Sequence, residues 1–117
     1  MKTILVVEDD PVNQMILSDF LSANDYRIVV ASSGPEGIAG FDREQPQLCL
    51  VDVQLPRKNG LDLVREMKQR VASTPVLLMS AEPEQPAELC TLADGYLAKP
   101  FDLEVLLAHI RRLIGTS

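Results

Sequence analysis

Ile4-Leu5-Val6-Val7-Glu8-Asp9-Asp10-Pro11 opens the chain with four apolar residues, three acids and a proline. A short run that is apolar at every position, rather than alternating, is the pattern of a strand buried on both faces. Such strands belong to parallel sheets covered by helices on each side. Asp10 before Pro11 is a helix-start signal, the acid capping free backbone N–H groups and the proline occupying the first turn. The unit is therefore strand, acidic loop, helix, and the rest of the chain repeats it. Further strand-like runs are Ile28–Ala31, Leu48–Val51, Val76–Met79 and Tyr96–Ala98. Between and after them, Val12–Ala23, Pro35–Glu44, Leu61–Arg70, Ala87–Ala93 and Asp102–Ile114 fit crossover helices. Five strand–helix units in series predict an α/β doubly wound sheet, and 117 residues suit one domain.

Two helices differ in what they offer. In the last, Leu103, Leu106, Leu107, Ile110, Leu113 and Ile114 form an apolar stripe about 120° wide. Asp102 is placed to cap it, and Val105 falls outside the stripe as a candidate for exposure. In the first, Val12, Met15, Ile16, Leu17, Phe20 and Leu21 spread over roughly 240°, wider than one core face requires. Either the helix is deeply buried or an apolar edge is left for a partner.

Composition excludes several classes. Seventeen acids against eleven bases leave a net charge of −6, which disfavours nucleic-acid backbones and favours a metal cation. No apolar run reaches the ~18–20 residues of a membrane span, and no signal-peptide pattern opens the chain. Cys49 in an apolar run and Cys90 in a helical segment lie in no CxxC or Cys/His cluster. They read as structural thiols of a cytoplasmic protein rather than a disulfide or zinc site.

Polar residues gather at the C-terminal ends of the strands. Glu8, Asp9 and Asp10 follow the first, Asp52 closes the third, Ser80 follows the fourth and Lys99 the fifth. Open parallel sheets bind ligands outside those ends, where the strand order reverses, so these residues are expected to converge. Carboxylates brought to ~4 Å repel by about 4 kcal/mol at an effective dielectric of 20. Such a cluster needs a cation, either the Lys99 ammonium or a hard divalent ion, for which Mg2+ is the best match to oxygen ligands. The absence of nearby His or Cys argues against zinc or copper. Asp52 is the candidate nucleophile: a carboxylate with pKa near ~3.9 is ionised at neutral pH and needs no general base. Its difficulty is repulsion from an anionic phosphoryl group, which a cation, Lys99 and the Ser80 hydroxyl would relieve. Gln54, two residues on, cannot activate water by proton transfer, so a phosphate on Asp52 would persist for a time.

These residues resemble the receiver domains of two-component signalling, the chemotaxis-regulator-like response regulators, over essentially the whole chain. Ile4 to Pro11 is similar to the family's first strand and acidic pair. Asp52-Val53-Gln54-Leu55-Pro56 with Gly60 resembles its phosphoacceptor strand and loop, Ser80-Ala81 its Thr/Ser-Ala step, and Lys99-Pro100-Phe101 its closing Lys-Pro pair. The resemblance implies a flavodoxin-like five-stranded parallel sheet in the order 2-1-3-4-5. It implies that Asp52 accepts the phosphoryl group, that Asp9, Asp52 and the backbone carbonyl of Gln54 ligate Mg2+, and that Glu8 acts through a metal-bound water. Lys99 would contact phosphoryl oxygens, with the Lys99–Pro100 bond often cis, and Ser80 with Tyr96 would form a switch pair. The donor would be a phosphohistidine on a sensor histidine kinase or phosphotransfer protein. Pro11-Val12-Asn13-Gln14 also resembles receivers served by or fused to hybrid kinases. His109, the only histidine, lacks the surroundings of a phosphodonor and reads as solvated or half-buried.

The chain departs from the family in one stretch. Only 18 residues separate Ser80 from Lys99, with Pro83 and Pro86 among them and Leu92 where a glycine is common. The fourth helix is expected to be short, which puts the usual output face in question. The resulting expectation is a phosphorylation-switched signalling module that catalyses its own phosphorylation and dephosphorylation and turns over no external substrate. With no helix-turn-helix or enzymatic segment following, output would pass through another protein or further domains. A pseudo-receiver signalling without phosphate is the alternative. A dehalogenase-type phosphohydrolase would want an acid where Gln54 stands, and a flavin site would want phosphate donors where the acids stand.

Overall fold

The computed structural model describes residues 1–55, 59–82 and 87–116. Its elements alternate throughout: β1 (Thr3–Val7), α1 (Pro11–Ala23), β2 (Arg27–Ala31), α2 (Gly34–Glu44), β3 (Leu48–Asp52), α3 (Gly60–Arg70), β4 (Val76–Ser80), α4 (Ala87–Leu92), β5 (Gly95–Ala98) and α5 (Leu103–Ile114). All strand pairs are parallel and the sheet order is β2-β1-β3-β4-β5. This is the doubly wound architecture expected from the sequence.

Strand periodicity explains why the central runs carry no polar positions. Ile4, Val6, Leu48, Leu50, Leu77 and Met79 pack with Leu17 and Leu21 of α1 and Leu106 and Ile110 of α5. Their neighbours Leu5, Val7, Cys49, Val51, Val76 and Leu78 face the opposite layer, with Phe41 of α2 and Leu63, Val64 and Met67 of α3. Each central strand therefore buries both faces, and β1, β3 and β4 are buried along their whole length. The second strand does not follow this rule. As an edge strand it is covered mainly at Ala31, and Val30 is exposed, so its apolar run overstates its burial.

Helix starts are set locally. Asp10, Ser33, Asn59 and Asp102 cap α1, α2, α3 and α5, each with its side chain accepting a backbone N–H from the first turn. Asp102 thus caps α5 as expected, and the helix proper begins at Leu103. Gly60 opens α3 against the end of β3: a Cβ there would come within 2.8 Å of the Val53 Cα, so only glycine lets the two backbones approach.

The first helix resolves the open alternative. Leu17 and Leu21 are buried, but Val12, Met15 and Ile16 are about half exposed, at 57%, 59% and 45%. It is not a deeply buried helix; an apolar edge remains at the surface. Val105 is also exposed, as its place outside the α5 stripe implies. The fourth helix is shorter still than expected, six residues over Ala87–Leu92 with Leu89 as its buried anchor. Pro83 and Pro86, the residues expected to shorten it, lie outside the described residues, as does Pro56. Both thiols are free; Cys49 is buried, and burial pushes it up to about 12, whereas Cys90 lies exposed on α4 and is not a core residue. Among the described residues no helix is long and apolar enough to cross a membrane.

Candidate functional site

The sheet order reverses between β1 and β3: after β1 the chain crosses to β2, after β3 it crosses the other way to β4. The loops leaving the two strands therefore diverge and open a crevice at their C-terminal ends. Glu8 and Asp9 lie on one side of it and Asp52 on the other. One carboxylate oxygen from each of the three lies within 4.8 Å of the others. Glu8 is 1% exposed and Asp52 4%, while Asp9 faces solvent.

Lys99, just past the end of β5, sets one positive charge against the two buried carboxylates of this cluster. Its backbone N–H extends the sheet by donating to the Ser80 carbonyl at 2.7 Å. Its ammonium donates to Asp52 Oδ2 at 2.8 Å and to Glu8 Oε1 at 3.0 Å. The Lys99–Pro100 peptide is cis. Burial, followed by the neighbouring Asp52 carboxylate, raises the Glu8 carboxyl above the ordinary range, and Lys99 only partly offsets this. For Lys99 itself, burial disfavours the charge, but the bonds to Asp52 and Glu8 together outweigh it and raise its pKa. The other Asp52 oxygen, Oδ1, accepts the backbone N–H of Gln54 at 2.9 Å, so the carboxylate is held from both sides.

Ser80 is fully buried at the end of β4, and its Oγ accepts the Glu82 N–H at 3.0 Å. Glu82 ties several elements together. Its carboxylate accepts from Gln54 Nε2 at 2.9 Å, and its backbone carbonyl accepts the Tyr96 hydroxyl at 2.7 Å. Ser80 and Tyr96 are thus linked through one residue. In the sequence Glu82 follows Ser80 by two residues, as Gln54 follows Asp52, a spacing that marks it as a loop neighbour of the site. Gln14 is a second residue whose part was not anticipated; its amide reaches the Glu8 carbonyl and the Ser32 hydroxyl.

Of the residues expected at the site, Glu8, Asp9, Asp52, Ser80 and Lys99 converge there, with the Gln54 backbone anchoring Asp52. Asp10 does not join the carboxylate cluster and caps α1 instead. His109 is half-buried on α5 beside Arg112, which lies 3.3 Å from its Nδ1. A cleft of about 450 Å3 opens beside Glu8 and Lys99, lined further by Ile16, Leu17, Phe101 and Leu103. Of the exposed apolar residues of α1, Ile16 lines it.

A switch-point crevice holding three carboxylates and one lysine defines the receiver class, and comparison with known proteins agrees. Residues 4–111 match the model of the response regulator receiver domain, and the chain belongs to that family. It is 38% identical over 114 residues to response regulator MprA of Mycobacterium leprae, covering 95% of this chain and 50% of that protein. It is 32% identical to transcriptional regulatory protein TrcR of Mycobacterium tuberculosis, covering 97% of this chain and 46% of that one. The chain thus spans about half the length of these curated relatives. Among solved structures, Thermotoga maritima response regulator TrrA, in complex with Mg2+-BeF, superposes with a TM-score of 0.90 at 27% identity, covering 97% and 99% of the two chains. The receiver domain of sensor histidine kinase PA1611 from Pseudomonas aeruginosa, with magnesium in its active-site cleft, gives 0.89 at 28%, covering 98% of each.

Proposed function

We propose that this receiver domain accepts a phosphoryl group on Asp52 from a partner's phosphohistidine, with Mg2+ held by Asp9, Asp52 and the Gln54 carbonyl and steadied by Glu8. The observation that carries the reading is the meeting of three carboxylate oxygens within 4.8 Å, with the Lys99 ammonium 2.8 Å from Asp52. The donor set is all oxygen, as Mg2+ requires. Bound there, the ion would supply positive charge that offsets the repulsion of an incoming phosphoryl group by the carboxylates.

The remaining chemistry belongs to the chain. An ionised Asp52 oxygen attacks phosphorus while the P–N bond to the donor imidazole breaks. The bonding pair stays on the imidazole nitrogen, which is protonated from solvent. The Gln54 N–H holds the carboxylate in orientation, and Lys99 exchanges part of its contact with Asp52 for the phosphoryl oxygens. Ser80 turns its hydroxyl toward the phosphoryl group, giving up the Glu82 N–H, and Tyr96 responds through the same Glu82. With Gln54 in place of an acid or base beside Asp52, water is not activated by proton transfer and the aspartyl phosphate persists.

The donor approaches over the cleft, where Ile16 of α1 lies with Glu8 and Lys99, and over the exposed Val12 and Met15 of the same helix. A phosphohistidine helix with an apolar surface is the occupant this edge suits. The domain works in the cytoplasm, and it passes its signal to a protein partner or attached segment rather than binding nucleic acid through its own acidic surface. Incubation with Mg2+ and acetyl phosphate, read by intact mass, tests the reading. One phosphate is expected, lost in Asp52→Asn; no gain with any metal or donor would overturn it.

A further inference from the structure

The metal-facing loop after β1 is short and solvent-exposed at Asp9, yet Asp9 has to be aimed at the same point as two buried carboxylates. Its direction follows from the plane of the Glu8–Asp9 peptide, whose carbonyl is that of Glu8. That carbonyl accepts a hydrogen bond from Gln14 Nε2. The second hydrogen of the same amide goes to Ser32 Oγ at 2.9 Å. The assignment of the amide is forced, because a backbone carbonyl can only accept, so nitrogen must face it.

Both attachment points are themselves fixed. The Glu8 N–H donates to the Ala31 carbonyl at 3.0 Å, continuing the β1–β2 ladder by one step. The Ser32 N–H donates to Glu36 Oε2 at 2.7 Å, tying that turn to α2. Gln14 lies one turn into α1, and its N–H donates to the Asp10 carbonyl at 2.9 Å, so its backbone moves with the helix. One side chain thus joins α1, the end of β1 and the β2–α2 turn.

We infer that Gln14 is a positioning residue for the Mg2+ site, clamping the Glu8–Asp9 peptide so that the Asp9 carboxylate is presented to the ion. It touches neither the ion nor the phosphoryl group. The inference rests on the proposed reading of Glu8, Asp9 and Asp52 as the metal site. Groups that orient metal ligands commonly contribute 10–100-fold in affinity, and two neutral hydrogen bonds place Gln14 at about ten-fold.

The test is calorimetric Mg2+ titration of the phosphate-free wild-type chain, Gln14→Met and Ser32→Ala, with thermal melting and amide hydrogen exchange at Asp9 and Asp10. Methionine keeps the length and volume of glutamine but has no donor. Gln14→Met is expected to bind Mg2+ about ten-fold more weakly and to exchange faster at Asp9, while still melting cooperatively. Ser32→Ala, which leaves the Glu8 bond in place, is expected to lose less. Gln14→Lys supplies N–H donors again and is expected to recover affinity relative to Gln14→Met, although its charge opposes the cation. Unchanged affinity in Gln14→Met, or a drop in melting temperature with no change in affinity, would overturn the inference. Wild-type protein that binds no Mg2+ would instead overturn the metal-site reading on which it rests.

Discussion

Lys99→Met isolates the electrostatics of the site, because methionine keeps most of the apolar stem and removes the charge. The Glu8 and Asp52 oxygens lie within 4.8 Å of each other, and Lys99 bonds both. Two unit charges at that separation repel by about 3.5 kcal/mol at an effective dielectric of 20. Removing one partner from a buried ion pair typically costs about 3–5 kcal/mol, so the two routes agree. The cost has a ceiling, since Glu8 is already raised by burial and by Asp52 and can take up a proton. A carboxyl raised in the folded state binds more protons than in the unfolded chain. Stability therefore falls as pH rises from the ordinary carboxyl value of 4.5 through the raised one, and recovers as pH falls. Urea unfolding in EDTA is expected to show a loss of about 3 kcal/mol near pH 8, shrinking to about 1 near pH 5. Excess Mg2+ should restore most of the loss near pH 8 by placing positive charge between the same carboxylates. An equal loss at both pH values would refute the electrostatic account and assign the cost to stem packing.

Met15→Asp, on the exposed edge of α1, is expected to slow transfer from a phosphohistidine protein at least ten-fold by placing charge in an apolar contact. It should change acetyl phosphate labelling less than about two-fold, because Met15 does not line the crevice; equal effects on both donors would refute its assignment to docking. Gly60→Ala should destabilise the domain by about 2 kcal/mol, read by urea unfolding, since its Cβ would meet the Val53 backbone at 2.8 Å. Thiol titration should find one fast-reacting cysteine in the native chain, the exposed Cys90, and a second only on unfolding. Cys49 is buried and its pKa is raised to about 12, which leaves almost no thiolate at neutral pH.

The resemblance drawn from four short motifs named the family, and the residues themselves pointed to the site. Apolar runs without alternation signalled strands covered on both faces, and β1, β3 and β4 are so covered. The same cue overstated the burial of β2, since exposure there follows from its place at the sheet edge, which the apolar run does not record and only the strand order implied by the resemblance did. Burial of α1 was ambiguous for a related reason: six apolar residues on a wide arc are compatible with two environments. Only the position of α5 and the crevice decides that Leu17 and Leu21 pack inward while Val12, Met15 and Ile16 stay outside.

Residue types and their places at strand ends determined that Glu8, Asp9, Asp52, Ser80 and Lys99 would meet, because a parallel doubly wound sheet brings all such ends to one edge. Side chains that act through hydrogen bonds to the backbone were not legible in that way. Gln14 carries no charge pattern or spacing that marks its partners, and the two-residue spacing of Glu82 from Ser80 places it near the site without naming what it bonds. Tertiary structure alone decided that the Gln14 amide lies between the Glu8 carbonyl and Ser32, and that Glu82 joins Gln54, Ser80 and Tyr96. Hydrogen bonds need alignment to within a few tenths of an ångström, and that precision exists only once the helices are packed on the sheet.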